Sequence, residues 1–526
     1  MHKLVSLCLT GFYLFLGAVS LGLTSLVILV SFYYTFKVWI NARKLNKLPW
    51  AGLKPESFSA LRASLRDWNL GLQVVSDGYH KYGKSGQFFV TPTWWGQPLV
   101  TVPPAYFQWW SKELEPKTEL PQTINNLESQ RIALPGLPIG EHLYYQNVHN
   151  LKKLGPQHVL SWMKPNLEAH LHVSTDWTTL DIREEAVFQP TIRMIIQSYY
   201  GETLKNNSDF VEHIIDYARA FNGMDYRVAH FFPRWFSSIF WWIVANRPNG
   251  PLRNQRKYDR IIIPYLRQRL RDTADAKEQI EEHDLLSIYL KSASKSKDAV
   301  DRDPVVIAGR FLMLTSGFTV STLTGVLPLV LKQLTSHPSY VNVLLEELEA
   351  SIAEQPGRWD SKLLNSLVHM DSLFRESMRC VKFNGFGLAL MRVITDPEGI
   401  KLPGNNPVVV PQGTWFGAPA DLVHYDDSNY EDAAGFQPWR FAKADSEARA
   451  SRNMMTALSD INLAFGRGKF ACPGRFFASD FMKTYICYFI THYDIRPIPG
   501  SSDSEDPVRM QIKRKEVPPW WHERWV

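Results

Sequence analysis

Phe465-Gly466-Arg467-Gly468-Lys469-Phe470-Ala471-Cys472-Pro473-Gly474-Arg475-Phe476-Phe477-Ala478 sets one cysteine between glycine-rich turns and the start of an apolar helical run. Gly466, Gly468 and Gly474 permit tight or positive-φ backbone and leave no side chain to obstruct a large flat ligand. Pro473 suits the first position of a helix, and Ala478, Phe481, Met482, Tyr485 and Phe489 then recur at helical spacing. The Cys472 sulfur is therefore expected at a helix N-terminus, where orphan N–H groups and the helix dipole favour a thiolate. Taken alone, the residue also reads as a small buried hydrophobe, the commoner fate of a lone cysteine.

The surrounding pattern separates these readings. Phe465-x-x-Gly468, three residues, then Cys472-x-Gly474 resembles the haem-binding loop of the cytochrome P450 family, and Pro473 to Ala478 resembles its fungal members in particular. The resemblance implies a mainly α fold with small β-sheets. It also implies heme b (iron protoporphyrin IX), with Cys472 as axial thiolate and metal ligand and Phe465, Gly466, Lys469 and Gly474 around it. Glu376-Ser377-Met378-Arg379 places a carboxylate and a guanidinium on one helical face. The spacing alone is common on surfaces, where such pairs contribute little. Here it resembles the family's Glu-x-x-Arg pair, with Arg440 of Phe436-Gln437-Pro438-Trp439-Arg440-Phe441 as third partner and His424-Tyr425-Asp426 before it. Such a buried network is structural rather than catalytic, and breaking it costs about 3–5 kcal/mol by stranding a charge. Haem propionates need cations. Arg392 stands at a family position that often serves, whereas Phe470 replaces the usual Arg or His two residues before the cysteine and leaves Lys469 to substitute. Lys152 and Lys153 are further candidates.

The long apolar helix from Pro304 to about Leu334 is expected to cross the distal face of the haem. The family's small-Gly-x-acid-Thr pattern is matched by Ser316-Gly317-Phe318-Thr319-Val320-Ser321. Gly317 would make room for dioxygen. Thr319 replaces the acid and Val320 the threonine that normally deliver protons, which leaves Ser321, Thr322 or a substrate hydroxyl for the task. Back-bonding to helix carbonyls is the ordinary alternative for these hydroxyls. Phe318, Val320, Phe383, Phe386 and Leu388 are candidate pocket residues, each of which packs equally well in a core.

The rest of the chain bounds this reading. Its 526 residues are 45% hydrophobic, ample for a large core, and 58 basic against 52 acidic residues leave a net charge of +6 with no run that suits nucleic acid. Four cysteines (Cys8, Cys380, Cys472 and Cys487) have no framework spacing, so a reducing compartment fits. Leu4 to Phe36 carries no charge and exceeds the roughly 20 apolar residues a bilayer requires, which reads as a retained transmembrane helix rather than a cleaved signal. Lys37, Arg43, Lys44 and Lys47 come directly after it, so the body is expected to face the cytosol, at the endoplasmic reticulum membrane. The expected plan is a transmembrane anchor over 1–36, a linker over 37–56 and a haem-thiolate catalytic domain over 57–526. A helix is expected over 57–83, strands over 87–92 and 98–102 with Trp95-Gly96 between them, and irregular chain over 115–145. The sequon Asn206-Asn207-Ser208 would face the cytosol unused. The aromatic run 231–242 with Arg247, Arg253, Arg256 and Lys257 after it suits a membrane interface or a buried helix pair. Residues 272–302 read as a charged surface connection, 425–460 as irregular, and the tail with Pro518-Pro519-Trp520-Trp521 fits no assignment.

The resemblance covers about residues 40–510. It implies a monooxygenase of an apolar or amphipathic small molecule, such as a fungal terpenoid, indole-terpenoid or polyketide. NADPH would supply electrons through a cytochrome P450 reductase docked on Arg467, Lys469 and Arg475. An isomerase or dehydratase needing no outside electrons, and a non-catalytic haem-binding protein, are the alternatives.

Overall fold

The computed structural model describes residues 2–112, 117–119, 148, 150–223, 234–274, 284–381, 388–404, 407–443, 452–468, 471–499 and 509–522. Among the described residues helices dominate, and ten short strands lie between them: β1 (Phe89–Thr91), β2 (Leu99–Thr101), β3 (Thr118–Glu119), β4 (Thr178–Asp181), β5 (Ala389–Ile394), β6 (Ile400–Lys401), β7 (Val409–Val410), β8 (Trp415–Ala418), β9 (Tyr493–Arg496) and β10 (Arg509–Arg514). The chain divides into two compact units, each assembled from three stretches: Met1–Ile132, Asp225–Ile243 and Phe383–Leu422 in the first, Ala133–Met224, Val244–Lys382 and Val423–Val526 in the second.

In the first unit, five strands form one sheet in the order β1-β2-β8-β5-β3, antiparallel except for β2 beside β8. The expected hairpin is there: Val90 opposes Val100, and Gly96 turns the chain at φ 72°. Val75, Trp95, Leu99, Leu388, Val393 and Trp415 form the core beneath the sheet. The helix expected over 57–83 spans Ser59–Gly78 and passes into one π turn over Tyr79–Gly83. The first helix, expected to give way to a linker at 37, runs unbroken from His2 to Lys44. Trp50, in the expected linker, is buried and bridges to Val90. The helix Arg234–Asn246 carries the aromatic run. Ile239, Trp242 and Ile243 are exposed on it, whereas Trp241 is buried. Residues 231–233, and all but Lys117–Glu119 of the 115–119 stretch, lie outside the described residues, as do 120–145.

The second unit is helical around the run Pro304–Ser336. Asp303 caps its start by accepting the Val305 N–H at 2.8 Å, and Pro304 sits in the first turn. The run is long and apolar enough to cross a membrane, but 56% of that stretch is buried, so it is a core helix. The Glu376 helix spans Val368–Arg379, and the helix after Cys472 spans Arg475–His492. Residues 272–302 are not merely a surface connection: the helix Leu285–Ala293 buries Leu285, Leu286, Ile288, Tyr289 and Leu290, and Lys291 is the one charged residue within it. The tail is also ordered. β10 pairs with β4 and β9, and buried Trp521 packs edge-on to Trp359, its centroid 5.4 Å away.

Candidate active site

The cysteine loop folds as glycine permits. Gly466 (φ 75°) and Gly468 (φ 64°) take left-handed backbone. The turn closes by Cys472 N–H to Phe465 O at 2.8 Å and Ala471 N–H to Gly468 O at 3.1 Å. Phe465 is buried. The helix begins at Arg475 with Gly474 as its cap, two residues later than Pro473 would place it. Burial pushes the Cys472 thiol up. The backbone N–H groups of Gly474 and Arg475 and the Arg475 guanidinium act against that by favouring the anion. Arg475 Nη1 also donates to Cys472 O at 3.0 Å. Lys469 and Phe470 lie outside the described residues.

Glu376, Arg379 and Arg440 are brought together as expected. Arg379 grips Glu376 in a bidentate pair at 2.8 and 2.7 Å, and both are buried. Arg440 Nε reaches the same carboxylate at 3.1 and 3.2 Å, and Gln437 N–H adds a bond at 2.9 Å. The guanidiniums then collect chain carbonyls: Arg379 holds those of His424, Ala433 and Gly435, while Arg440 holds those of Glu431, Asp432 and Gly435. One carboxylate thus organises the irregular chain after residue 424.

Two links tie this network to the cysteine loop, and sequence reasoning had not found either. Leu463 N–H donates to His424 Nε2 at 2.9 Å, which requires a neutral imidazole. Burial pulls the His424 pKa down to about 4. Lys483, fully buried on the helix after Cys472, pairs with Asp371 at 2.7 Å and donates to Leu364 O at 2.8 Å. Its signal was present in the sequence: a lysine inside the apolar run Phe481, Met482, Tyr485 requires a partner.

The distal helix is not regular. Leu314–Val320 forms a π segment, which adds a residue to the turn and rotates the later residues relative to a count at 3.6. Gly317 packs inward: a Cβ there would lie 2.6 Å from Met313 Sδ and 3.2 Å from Phe221. Thr319 Oγ1 bonds the buried Tyr199 hydroxyl at 2.7 Å. Ser321 donates back to Gly317 O at 2.7 Å. Val320 is buried. The uncovered face instead carries Phe318 (36% exposed), Thr322 and Gly325, where an added Cβ would meet nothing within 4 Å. Arg392 belongs to the other unit, buried on β5 with its guanidinium 5.2 Å from the Trp110 ring centroid. Leu388 is core there, whereas Phe383 and Phe386 lie outside the described residues.

The donor set fits a haem. Among the described residues no three His, Cys, Asp or Glu side chains gather around a point. Cys472 offers a single thiolate, a donor that suits a metal already held by a macrocycle. Gly474, two residues after Cys472, keeps room around it: an added Cβ would meet only Val148, at 3.9 Å.

A family model described as cytochrome P450 matches residues 159–519. The chain is 25% identical to cytochrome P450 monooxygenase htyF of Aspergillus rugulosus over 92% of this chain and 74% of that protein. It is 24% identical to cytochrome P450 monooxygenase gloP of Glarea lozoyensis over 93% and 95%. It is 26% identical to cytochrome P450 monooxygenase polB of Polytolypa hystricis over 86% and 89%. The solved structure of retinoic acid bound cyanobacterial CYP120A1 shares the fold at a TM-score of 0.59, with 16% identity, covering 89% of this chain and 99% of that one. The glycine-bounded cysteine, the three-residue ionic hub and the match across most of the chain converge: this protein belongs to the cytochrome P450 family and is a haem-thiolate monooxygenase.

Proposed function

We propose that Cys472 Sγ holds the iron of heme b, and that the chain oxidises an apolar or amphipathic small molecule at a membrane. The substrate class favoured is a fungal terpenoid, indole-terpenoid or polyketide, which the similarity to fungal monooxygenases supports. The observation that carries the reading is Cys472 itself, set by positive-φ Gly466 and Gly468 in a turn closed by Cys472 N–H to Phe465 O at 2.8 Å. Bound haem supplies reductive activation of dioxygen. The chain's own residues do the rest. The Glu376 hub and the Asp371–Lys483 pair hold the loop and helix that carry the sulfur. Phe318 presents an apolar ring on the open distal face, and Thr322 presents the one hydroxyl there that makes no bond to another described residue. Thr319 and Ser321 are committed to Tyr199 and Gly317, so a proton at Thr322 Oγ1 is best placed for delivery. Gly317 and Thr319 then serve by fitting the helix against its neighbours. Arg392 is assigned to a propionate.

Electrons are assigned to an NADPH-dependent flavoprotein. Arg467 is paired with Asp460 at 2.8 Å, so the cationic part of the docking face is left to Lys469 and Arg475, and Phe476, 47% exposed, adds an apolar part. The charge-free run to Phe36 supports a single-pass endoplasmic reticulum anchor with the body in the cytosol. The deciding experiment is the reduced, carbon-monoxide-bound absorbance spectrum. Wild type should give the thiolate-type band and Cys472→Ser should lose it; haem-free protein, or an unchanged band, rejects the assignment. NADPH-independent turnover would favour an isomerase or dehydratase instead, a rival that the non-acidic Thr319 keeps in view.

A further inference from the structure

The first helix does not stop where its charge-free run stops. It continues for two turns beyond Phe36 and lies along the tip of the β1–β2 hairpin. Three successive carbonyls of that tip are taken in order. Tyr34 Oη donates to Trp94 O at 2.8 Å, Lys37 Nζ to Trp95 O at 3.2 Å and Asn41 Nδ2 to Gly96 O at 3.2 Å. Positions 34, 37, 38 and 41 share one helical face. Tyr34 and Val38 on it are 6% and 2% exposed.

The hairpin is shaped to receive this face. Gly96 sits at φ 72°, and an added Cβ would lie 2.9 Å from the Tyr34 ring and 3.3 Å from Val38. The tip is itself rigid: Gly96 N–H bonds Thr93 O at 2.9 Å, Gln97 N–H bonds Thr93 Oγ1 at 3.1 Å, and Trp95 is sunk in the core of the sheet. Large apolar side chains stand exposed elsewhere on the described part of this helix, with Phe32 71%, Phe36 49% and Trp39 46% exposed. Arg43 stacks 4.0 Å over Trp39, a cation and an indole at the end of a charge-free span, as suits a headgroup layer. Among the described residues, every exposed large apolar side chain except Val305, Phe318 and Phe476 belongs to this first unit, Leu53, Phe58 and Leu65 included.

We propose that the docked helix and the Thr93–Gln97 hairpin form one membrane-facing surface, whose partner is the headgroup layer of a phospholipid bilayer. The anchor is then a strut rather than a tether. A hydrocarbon core of about 30 Å takes about 20 helical residues. Counted back from the first docking contact, these end just before Tyr34, which leaves the bonded carbonyls at headgroup depth and sets the height and tilt of the first unit. The inference rests on the membrane-anchored reading above.

The test uses the full-length protein in phospholipid nanodiscs, read by hydrogen–deuterium exchange. Residues 37–44 and 93–97 should be protected together in wild type. Gly96→Leu should release both segments, by roughly tenfold or more in exchange rate. Gly86→Leu is the control, because Gly86 also has positive φ (76°) but only Ala105 nearby, at 3.9 Å. Free exchange of 37–44 in wild type, or equal release by Gly86→Leu, overturns the strut. A nitroxide at Trp39→Cys should report headgroup depth, and a bulk-water value overturns the surface. Flotation with liposomes separates the two claims: wild type that does not float refutes the anchor itself, whereas wild type that floats with a freely exchanging 37–44 refutes only the docking.

Discussion

At the scale of single residues, the site depends on hydroxyls and protons whose partners decide their use. Six hydroxyl residues lie close together on the distal helix, at 315, 316, 319, 321, 322 and 324, and the sequence alone ranks none of them. The structure commits Thr319, Ser321 and Thr324 to hydrogen bonds and turns Thr322 to the open face. Thr322→Val should lower coupled turnover by about 100-fold or more, with NADPH diverted to hydrogen peroxide, whereas Ser321→Ala should change little. Peroxide released per NADPH consumed, and the stretching frequency of bound carbon monoxide, are the checks. His424 sets a pH limit. Its pKa is about 4 when folded and about 6.5 when unfolded, so the unfolded chain takes up a proton first as pH falls. Stability should be level in this respect above pH 6.5 and decline between 6.5 and 4, by about 3 kcal/mol in all. His424→Gln, which keeps an acceptor for Leu463 N–H, should flatten that part of the profile in a thermal melt recorded across pH.

At the scale of elements, buried ions join pieces that hydrophobic packing would leave free to slide. Asp371 also accepts Met455 N–H at 3.0 Å, so the Asp371–Lys483 pair fastens the Glu376 helix, the loop after 452 and the helix behind the sulfur at one point. Lys483→Met should cost about 3–5 kcal/mol, because Asp371 stays buried without its cation. The double variant Asp371→Leu, Lys483→Met should recover much of it. Loss of the thiolate-type carbon monoxide band on heating measures both. The π segment over 314–320 works differently: it re-aims the residues after it, so a face counted at ideal helical period across it is assigned wrongly.

At the scale of the whole molecule, topology can be read at one exposed asparagine. Asn206 is exposed at the end of the helix Gln189–Lys205, and Asn207 caps the next helix by accepting Phe210 N–H at 3.0 Å. If the body faces the cytosol, protein from a eukaryotic host should carry no glycan at Asn206 and should not shift on glycosidase treatment. A glycan there would place the body across the membrane and reverse the proposed orientation.

The sequence by itself determined the family, the cysteine, the Glu376–Arg379–Arg440 set, the first hairpin and the helices over 57–83, from Pro304 and after Cys472. Each of these is written in local spacing, in glycine tolerance or in a charge that cannot be buried alone. Only the tertiary structure decided which hydroxyl faces the open side of Pro304–Ser336, that Leu285–Ala293 is core, that His424 and Lys483 brace the cysteine loop, and that the first helix continues to Lys44 on the Gly96 turn. The reason is common to all four. Each depends on what lies opposite a residue in space, and a partner 39 or 112 positions away along the chain leaves no periodicity to read.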